Sequence, residues 1–179
     1  MTVAAPEPVV RRATSQDLPT LGRLGTLLVQ EHHDFDGRRF LAPGIGTPDG
    51  YAAFLGSLLA DPAVVVLVAE HNGAVIGYAY GAIEGTDYMS LRGPAGVLHD
   101  LILDPGYRGR GVGRMLLSAM LSTLKSLGAP RVVFSTAERN EPAKRFFERM
   151  GFRRTMVEMT GELDGTLVIG EPDEGRSRK

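Results

Sequence analysis

Leu18, Leu21, Leu24, Leu27 and Leu28 recur every three or four positions through "SQDLPTLGRLGTLLVQEHH", a spacing that predicts a first helix with one buried face. The short apolar run "VVRRAT" at 9–14 before it reads as a first strand. A Gly-, Pro- and Asp-rich stretch over 34–50 predicts a loop, followed by a second helix from about Tyr51 to Leu59. "VVVLVAE" (64–70) and "AVIGYAYGAIE" (74–84) are β-rich runs separated by "HNG", which predicts an antiparallel hairpin. After a turn region over 85–96, "VLHDLIL" (97–103) predicts another strand. Leu116, Met120, Leu124 and Leu127 then mark the core stripe of a helix starting at Val112 and stopped by Gly128 and Pro130. "RVVFSTA" (131–137) predicts a strand and "NEPAKRFFERMGF" (140–152) a short helix. "RRTMVEMTGEL" predicts a last strand or strands.

Composition narrows what this α+β pattern can serve. The 179 residues suit one domain, expected over 9–165, with 1–8 and 170–179 as disordered tails. Twenty lysines and arginines against 21 acids give a net charge of −1, which argues against broad capture of nucleic acid or of an anionic membrane. No cysteine is present, so disulfides, thiol nucleophiles and thiolate metal sites are excluded, and a cytoplasmic location is expected. No apolar run approaches the roughly 20 residues that span a bilayer.

Against that neutral background "DPGYRGRGVGRML" (104–116) concentrates arginine and glycine where a strand turns into a helix. First-turn amides lack partners and the helix dipole favours an anion there, so the stretch reads as an anion site with local positive charge. It lacks the Lys-[Ser/Thr] of a Walker A loop, and it also fails the G-x-G-x-x-G register of a dinucleotide fold. The run Arg108-Gly109-Arg110-Gly111-Val112-Gly113 fits R-x-x-G-x-G and resembles the pyrophosphate motif of the GNAT superfamily of acetyl-CoA-dependent N-acetyltransferases. "NEPAKRFFERMGF" is similar to that family's second signature through Asn140, Ala143, Phe146, Phe147, Gly151 and Phe152.

The resemblance implies a GNAT-like domain with a central, mostly antiparallel mixed sheet flanked by helices, and acetyl-CoA as co-substrate wedged between strands 97–103 and 131–137. It implies pyrophosphate on the amides of Gly109, Arg110, Gly111, Val112, Gly113 and Arg114, with Arg108 heading the motif. The pantetheine arm would then lie along Leu101, Ile102 and Leu103 near Asn140 and Phe147. Direct attack by a primary amine in a ternary complex follows, and it needs a base, because an alkyl ammonium is only about 0.1% neutral at pH 7. His99 lies nine residues before Arg108, where related enzymes often carry a glutamate or histidine, and Asp100 and Glu84 stand in reserve. Period two places His99, Leu101 and Leu103 on one strand face and Asp100 on the other. Phe147 occupies a position where the family commonly has a tyrosine that protonates the departing thiolate, so water, Tyr78 or Tyr80 would have to serve.

"EHHDFDGRRF" is expected between the first two helices on the acceptor side. His32, His33, Asp34 and Asp36 read as a solvated loop rather than a metal site. The expected partner is a small-molecule or peptide amine, with no metal, nucleic acid or membrane, and a homodimer is left open. A non-catalytic acyl-CoA-binding module is the alternative, favoured by Phe147.

Overall fold

The computed structural model describes residues 7–165; the tails expected at 1–8 and 170–179 lie outside these, apart from Glu7 and Pro8. The elements in chain order are β1 (Val9–Arg12), α1 (Leu18–Phe35), α2 (Thr47–Leu58), β2 (Val64–His71), β3 (Ala74–Glu84), β4 (Ala95–Leu103), α3 (Val112–Ser126), β5 (Val132–Phe134) and α4 (Glu141–Arg149). Strand order in the sheet follows chain order, and every neighbouring pair is antiparallel except β4–β5. The parallel step is crossed by α3, as a parallel connection requires.

Both faces of the sheet are covered, which explains why β2 is apolar without alternation. Val65, Leu67, Ala69, Ala79 and Leu98 pack against Leu116, Leu117, Met120 and Leu124 of α3 and Phe147 of α4. On the opposite face Val64, Val66, Val68, Tyr78, Tyr80 and Ile102 pack against Leu21 and Leu24 of α1 and Leu55 of α2. The β2–β3 hairpin turns on Asn72 and Gly73 at φ +53° and +76°, the left-handed pair a two-residue loop demands.

Helices α1 and α2 cross on glycine. A Cβ at Gly22 would stand 2.2 Å from the Pro48 carbonyl oxygen, and one at Gly25 would stand 2.2 Å from the Tyr51 ring. Pro48 sits in the first turn of α2, so the helix begins at Thr47, ahead of the expected Tyr51. At the chain's other end the expected strand in 153–163 does not form. Met156, Val157, Met159 and Leu163 are exposed, without a period-two face to bury. The segment is instead held to the α1–α2 loop by Arg39–Glu158, Arg38–Glu162 and Arg38–Asp164 ion pairs.

Candidate active site

β5 pairs with β4 at three positions only, Gly96–Val132, Val97–Val133 and Leu98–Phe134. Beyond Leu98, β4 continues to Leu103 and no strand of the described residues pairs with that edge. The Asp104 amide donates to the Ile76 carbonyl on β3 at 2.8 Å, so by alternation the Leu101 and Leu103 amides turn to the open edge. Ile102 alternates the other way, facing β3 with its backbone and the α1–α2 core with its side chain. The Leu103 carbonyl is engaged: Arg108 donates to it from Nε at 3.3 Å and Nη2 at 3.1 Å, and its guanidinium also pairs with Glu31 on α1.

Just past this edge the chain turns through Gly109 and Gly111 at φ +74° and +85°, a region that disfavours any side chain. Their Cβ positions are open space, so conformation rather than crowding selects glycine there. Gly111 caps α3, and the first helical bond runs from Met115 to its carbonyl. The amides of Val112, Gly113 and Arg114 are therefore left without helical partners at the positive end of a 15-residue helix. Gly113 lies against Leu103 and Phe146, and Arg110 lies over the Tyr107 ring at 5.6 Å. Across the gap the Asn140 side-chain oxygen accepts from the Ala143 amide at 3.1 Å and caps α4. Phe147 is buried in an aromatic cluster, its ring centroid 3.8 Å from that of Phe134.

His99, Asp100 and Glu84 are brought together; Asp100 lies opposite Leu101 and Leu103 as period two assigns, whereas His99 does not lie on their face. The β3–β4 register slips between Tyr80–Asp100 and Gly81–Leu98, so His99 is the extra residue of a bulge. Its ring is thereby turned away from Leu101 and Leu103 and stacks on Tyr80, at 4.7 Å between centroids, on the α1–α2 side with Asp100. His99 Nε2 lies 2.8 Å from Glu84 Oε1, and Glu84 Oε2 accepts from Arg92 at 2.8 Å. Asp100 is buried and accepts from the Tyr51 hydroxyl at 2.6 Å and the Tyr78 hydroxyl at 2.8 Å, both on Oδ2. Burial pushes its pKa up against the pull of the two phenols, and a charge on His99 or His32 draws it down. Burial and the same carboxylate push both phenols well above the ordinary tyrosine range.

A cavity of about 790 Å³ opens beside Phe147, between the end of α1, β5, α4 and the 152–160 segment. His99, Asp100 and Glu84 are not on its wall; His32 is. His32, His33 and Asp34 belong to the last turns of α1, correcting the expected loop. His32 continues the inward stripe of Leu24 and Leu28 by one further step of four, a signal the sequence carried. His33 is tied to the Phe40 carbonyl at 3.1 Å, and among the described residues no group of three His, Asp or Glu could hold a metal.

A mixed sheet parted between its two parallel strands, with unpartnered amides at the head of the crossover helix, defines an α+β domain with a built place for an anionic, strand-like ligand. The chain belongs to the acetyltransferase (GNAT) family, whose model matches residues 28–152. An uncharacterized N-acetyltransferase of Mycobacterium bovis is 36% identical over 95 residues, covering 53% of this chain and 56% of that protein. A mycothiol acetyltransferase of Thermobispora bispora is 36% identical over 103 residues, 55% of this chain and 33% of the other. The chain thus matches about half the length of the first relative and a third of the second. Among solved structures, an aminoglycoside N-acetyltransferase in complex with CoA superposes with TM-score 0.72 at 20% identity, covering 90% of this chain and 97% of that one, which shows a shared fold. No helix among the described residues is long and apolar enough to cross a membrane.

Proposed function

We propose that the protein moves an acetyl group from acetyl-CoA to a primary amine by direct attack in a ternary complex. The observation that carries this reading is the juxtaposition of two sets of open backbone donors: the Leu101 and Leu103 amides on the free β4 edge, and the amides without helical partners at the head of α3. A pyrophosphate on residues 109–114 and an amide-bearing arm along β4 complement them without a side-chain ligand. Arg108 is a brace in this reading rather than a phosphate ligand, while Arg110 and Arg114 supply exposed positive charge. The Leu101 amide is placed to donate to the acetyl oxygen as it gains charge, and Asn140 and Phe147 border the arm.

His99, held by Glu84 and stacked on Tyr80, takes the first proton from the acceptor ammonium. Asp100 anchors the bulge that presents His99, and Asp100 and Glu84 are next in line as bases. The acceptor is a small-molecule or peptide amine. The test is thiol release from acetyl-CoA across polyamines, aminoglycosides, amino acids and peptide N-termini, with acetyl-CoA binding followed by calorimetry. Phe147, which carries no titratable atom, favours a second reading, a non-catalytic acyl-CoA-binding module. That reading predicts acetyl-CoA bound and never turned over.

A further inference from the structure

Acetylation of an ammonium removes two protons from nitrogen: RNH3+ and acetyl-S-CoA give RNH-acetyl, HS-CoA and one proton in solution. The first must leave before attack, and the half-exposed His99–Glu84 pair can pass it to solvent. The second leaves nitrogen as the C–N bond forms, while the sulfur leaving with the C–S electron pair needs a proton. The cavity wall beside Phe147 holds few groups able to carry it. Its carboxylates are engaged, Glu158 with Arg39, Glu138 with Lys144 and Glu148 with Arg154, and Asp36 accepts from the Arg38 and Arg39 amides. The arginines stay protonated throughout.

His32 differs from all of these. Its Nδ1 lies 2.9 Å from the Leu28 carbonyl oxygen, which can only accept, so Nδ1 carries a proton and, in the neutral ring, the lone pair falls on Nε2. The Phe35 and Phe40 rings meet it edge-on, at 6.2 and 5.1 Å between centroids, and hold its plane. Among the described residues the one buried side-chain polar atom without a partner is His71 Nδ1, so His32 Nε2 is not sealed in, and His32 is one of the residues that line the cavity.

On the reading that the protein is an acetyltransferase, we propose that His32 Nε2 takes the second proton from the attacking nitrogen and delivers it to the departing CoA thiolate. The C–N bond forms, the C–S bond breaks, the imidazole is protonated and then returned to its starting state, and no further reactant is consumed. His99 and His32 thus divide the two protons, one to solvent and one to sulfur.

The test is a double-mutant cycle between His32 and Phe147, which share the cavity wall. His32→Gln keeps a donor for the Leu28 carbonyl and removes proton transfer, and His32→Asn replaces it if that variant does not fold. Expected are a loss of kcat of roughly 10²-fold, the lower range for a lost acid or base, and an acetyl-CoA Kd within about twofold of wild type. Adding Phe147→Tyr to His32→Gln places a hydroxyl on the same wall and recovers at least about tenfold in kcat over His32→Gln. A merely structural histidine would lose cofactor affinity and gain nothing from the tyrosine. Retention of kcat in His32→Gln, a parallel loss of acetyl-CoA affinity, or a loss that the tyrosine does not relieve overturns the assignment. Wild-type protein that releases no thiol with any amine overturns the acetyltransferase reading and this proposal with it, whereas an active wild type with an equally active His32→Gln overturns the proposal alone.

Discussion

Asp100 is kept in place by a hydroxyl that reaches it through a slot in α1, and that slot is Gly25. A β-carbon at Gly25 would stand 2.2 Å from Tyr51 Cδ1, 2.5 Å from Cγ and 2.6 Å from Cε1. Carbon atoms settle about 3.5 to 4.0 Å apart, so Gly25→Ala must drive the ring away by roughly 1.3 Å or more. The Tyr51 hydroxyl starts 2.6 Å from Asp100 Oδ2, and the shift carries it past hydrogen-bond range. Losing a bond to a buried carboxylate costs about 1.5–3 kcal/mol, and forcing a packed interface apart adds about 1–3 kcal/mol. Tyr51→Phe removes the bond alone, at about 1.5–3 kcal/mol. The bond can be lost only once, so the double variant should cost less than the sum by about 1.5–3 kcal/mol. Urea unfolding of the four proteins at one pH, with unchanged m-values, measures all three quantities. Strict additivity, or a Gly25→Ala variant within about 0.5 kcal/mol of wild type, would show that the slot does not set the Tyr51–Asp100 contact.

Gly111→Asp forces a side chain into φ +85° and sets a carboxylate at the α3 amides, so acetyl-CoA binding should vanish in calorimetry; unchanged affinity would remove the pyrophosphate from that turn. His99→Ala should lower kcat/KM by roughly 10²- to 10⁴-fold at little cost in cofactor affinity. Both enzymes must be compared over one pH range with one acceptor, and a variant that keeps most of the rate moves the base to Asp100 or Glu84. Asp17 accepts from both Arg11 terminal nitrogens and from Thr14, and chiefly the Arg11 bonds hold its pKa down at about 2. It ionises more readily folded than unfolded, so its stabilisation is complete above the unfolded value near pH 4 and is lost as pH falls through about 2. Asp17→Asn should therefore cost about 1–2 kcal/mol at pH 7 and nothing below pH 2, and acid-unfolding curves of the two proteins that stay parallel from pH 7 to pH 2 would contradict this.

The elements legible in the sequence were those whose pattern is local. The leucine spacing of α1, the Asn72-Gly73 turn and the glycine stop of α3 each reflect a rule acting within a few residues. The turn into α3 was legible for the same reason, since φ +74° at Gly109 and +85° at Gly111 leave glycine little competition. What escaped depends on partners distant in the chain. The bulge at His99 is a mismatch between β3 and β4, and no periodicity within β4 reveals it. The apolar residues of 153–163 suggested a strand, but strand formation needs an edge to join, and Arg38 and Arg39 from the α1–α2 loop engage the segment instead. His32 stands at the end of the stretch whose leucine spacing predicts α1, yet it also reads with the solvated segment that follows, and the helix running on to Phe35 decides between the two.

β4 is bound to β3 through eight register pairs and to β5 through three, so the seam proposed to take the ligand is the least reinforced line in the sheet. Amides along that seam should exchange with solvent through small local openings, while those of β2 and β3 wait for global unfolding. β5 is also the last strand among the described residues and joins its neighbour only after α3 has crossed the sheet, a loop closure that the β2–β3–β4 meander does not require. A ligand lying against β4 and touching α4 would act as a missing rung across that seam, so its binding should be felt as rigidity in β5 and α4 more than in the strands at the centre of the sheet.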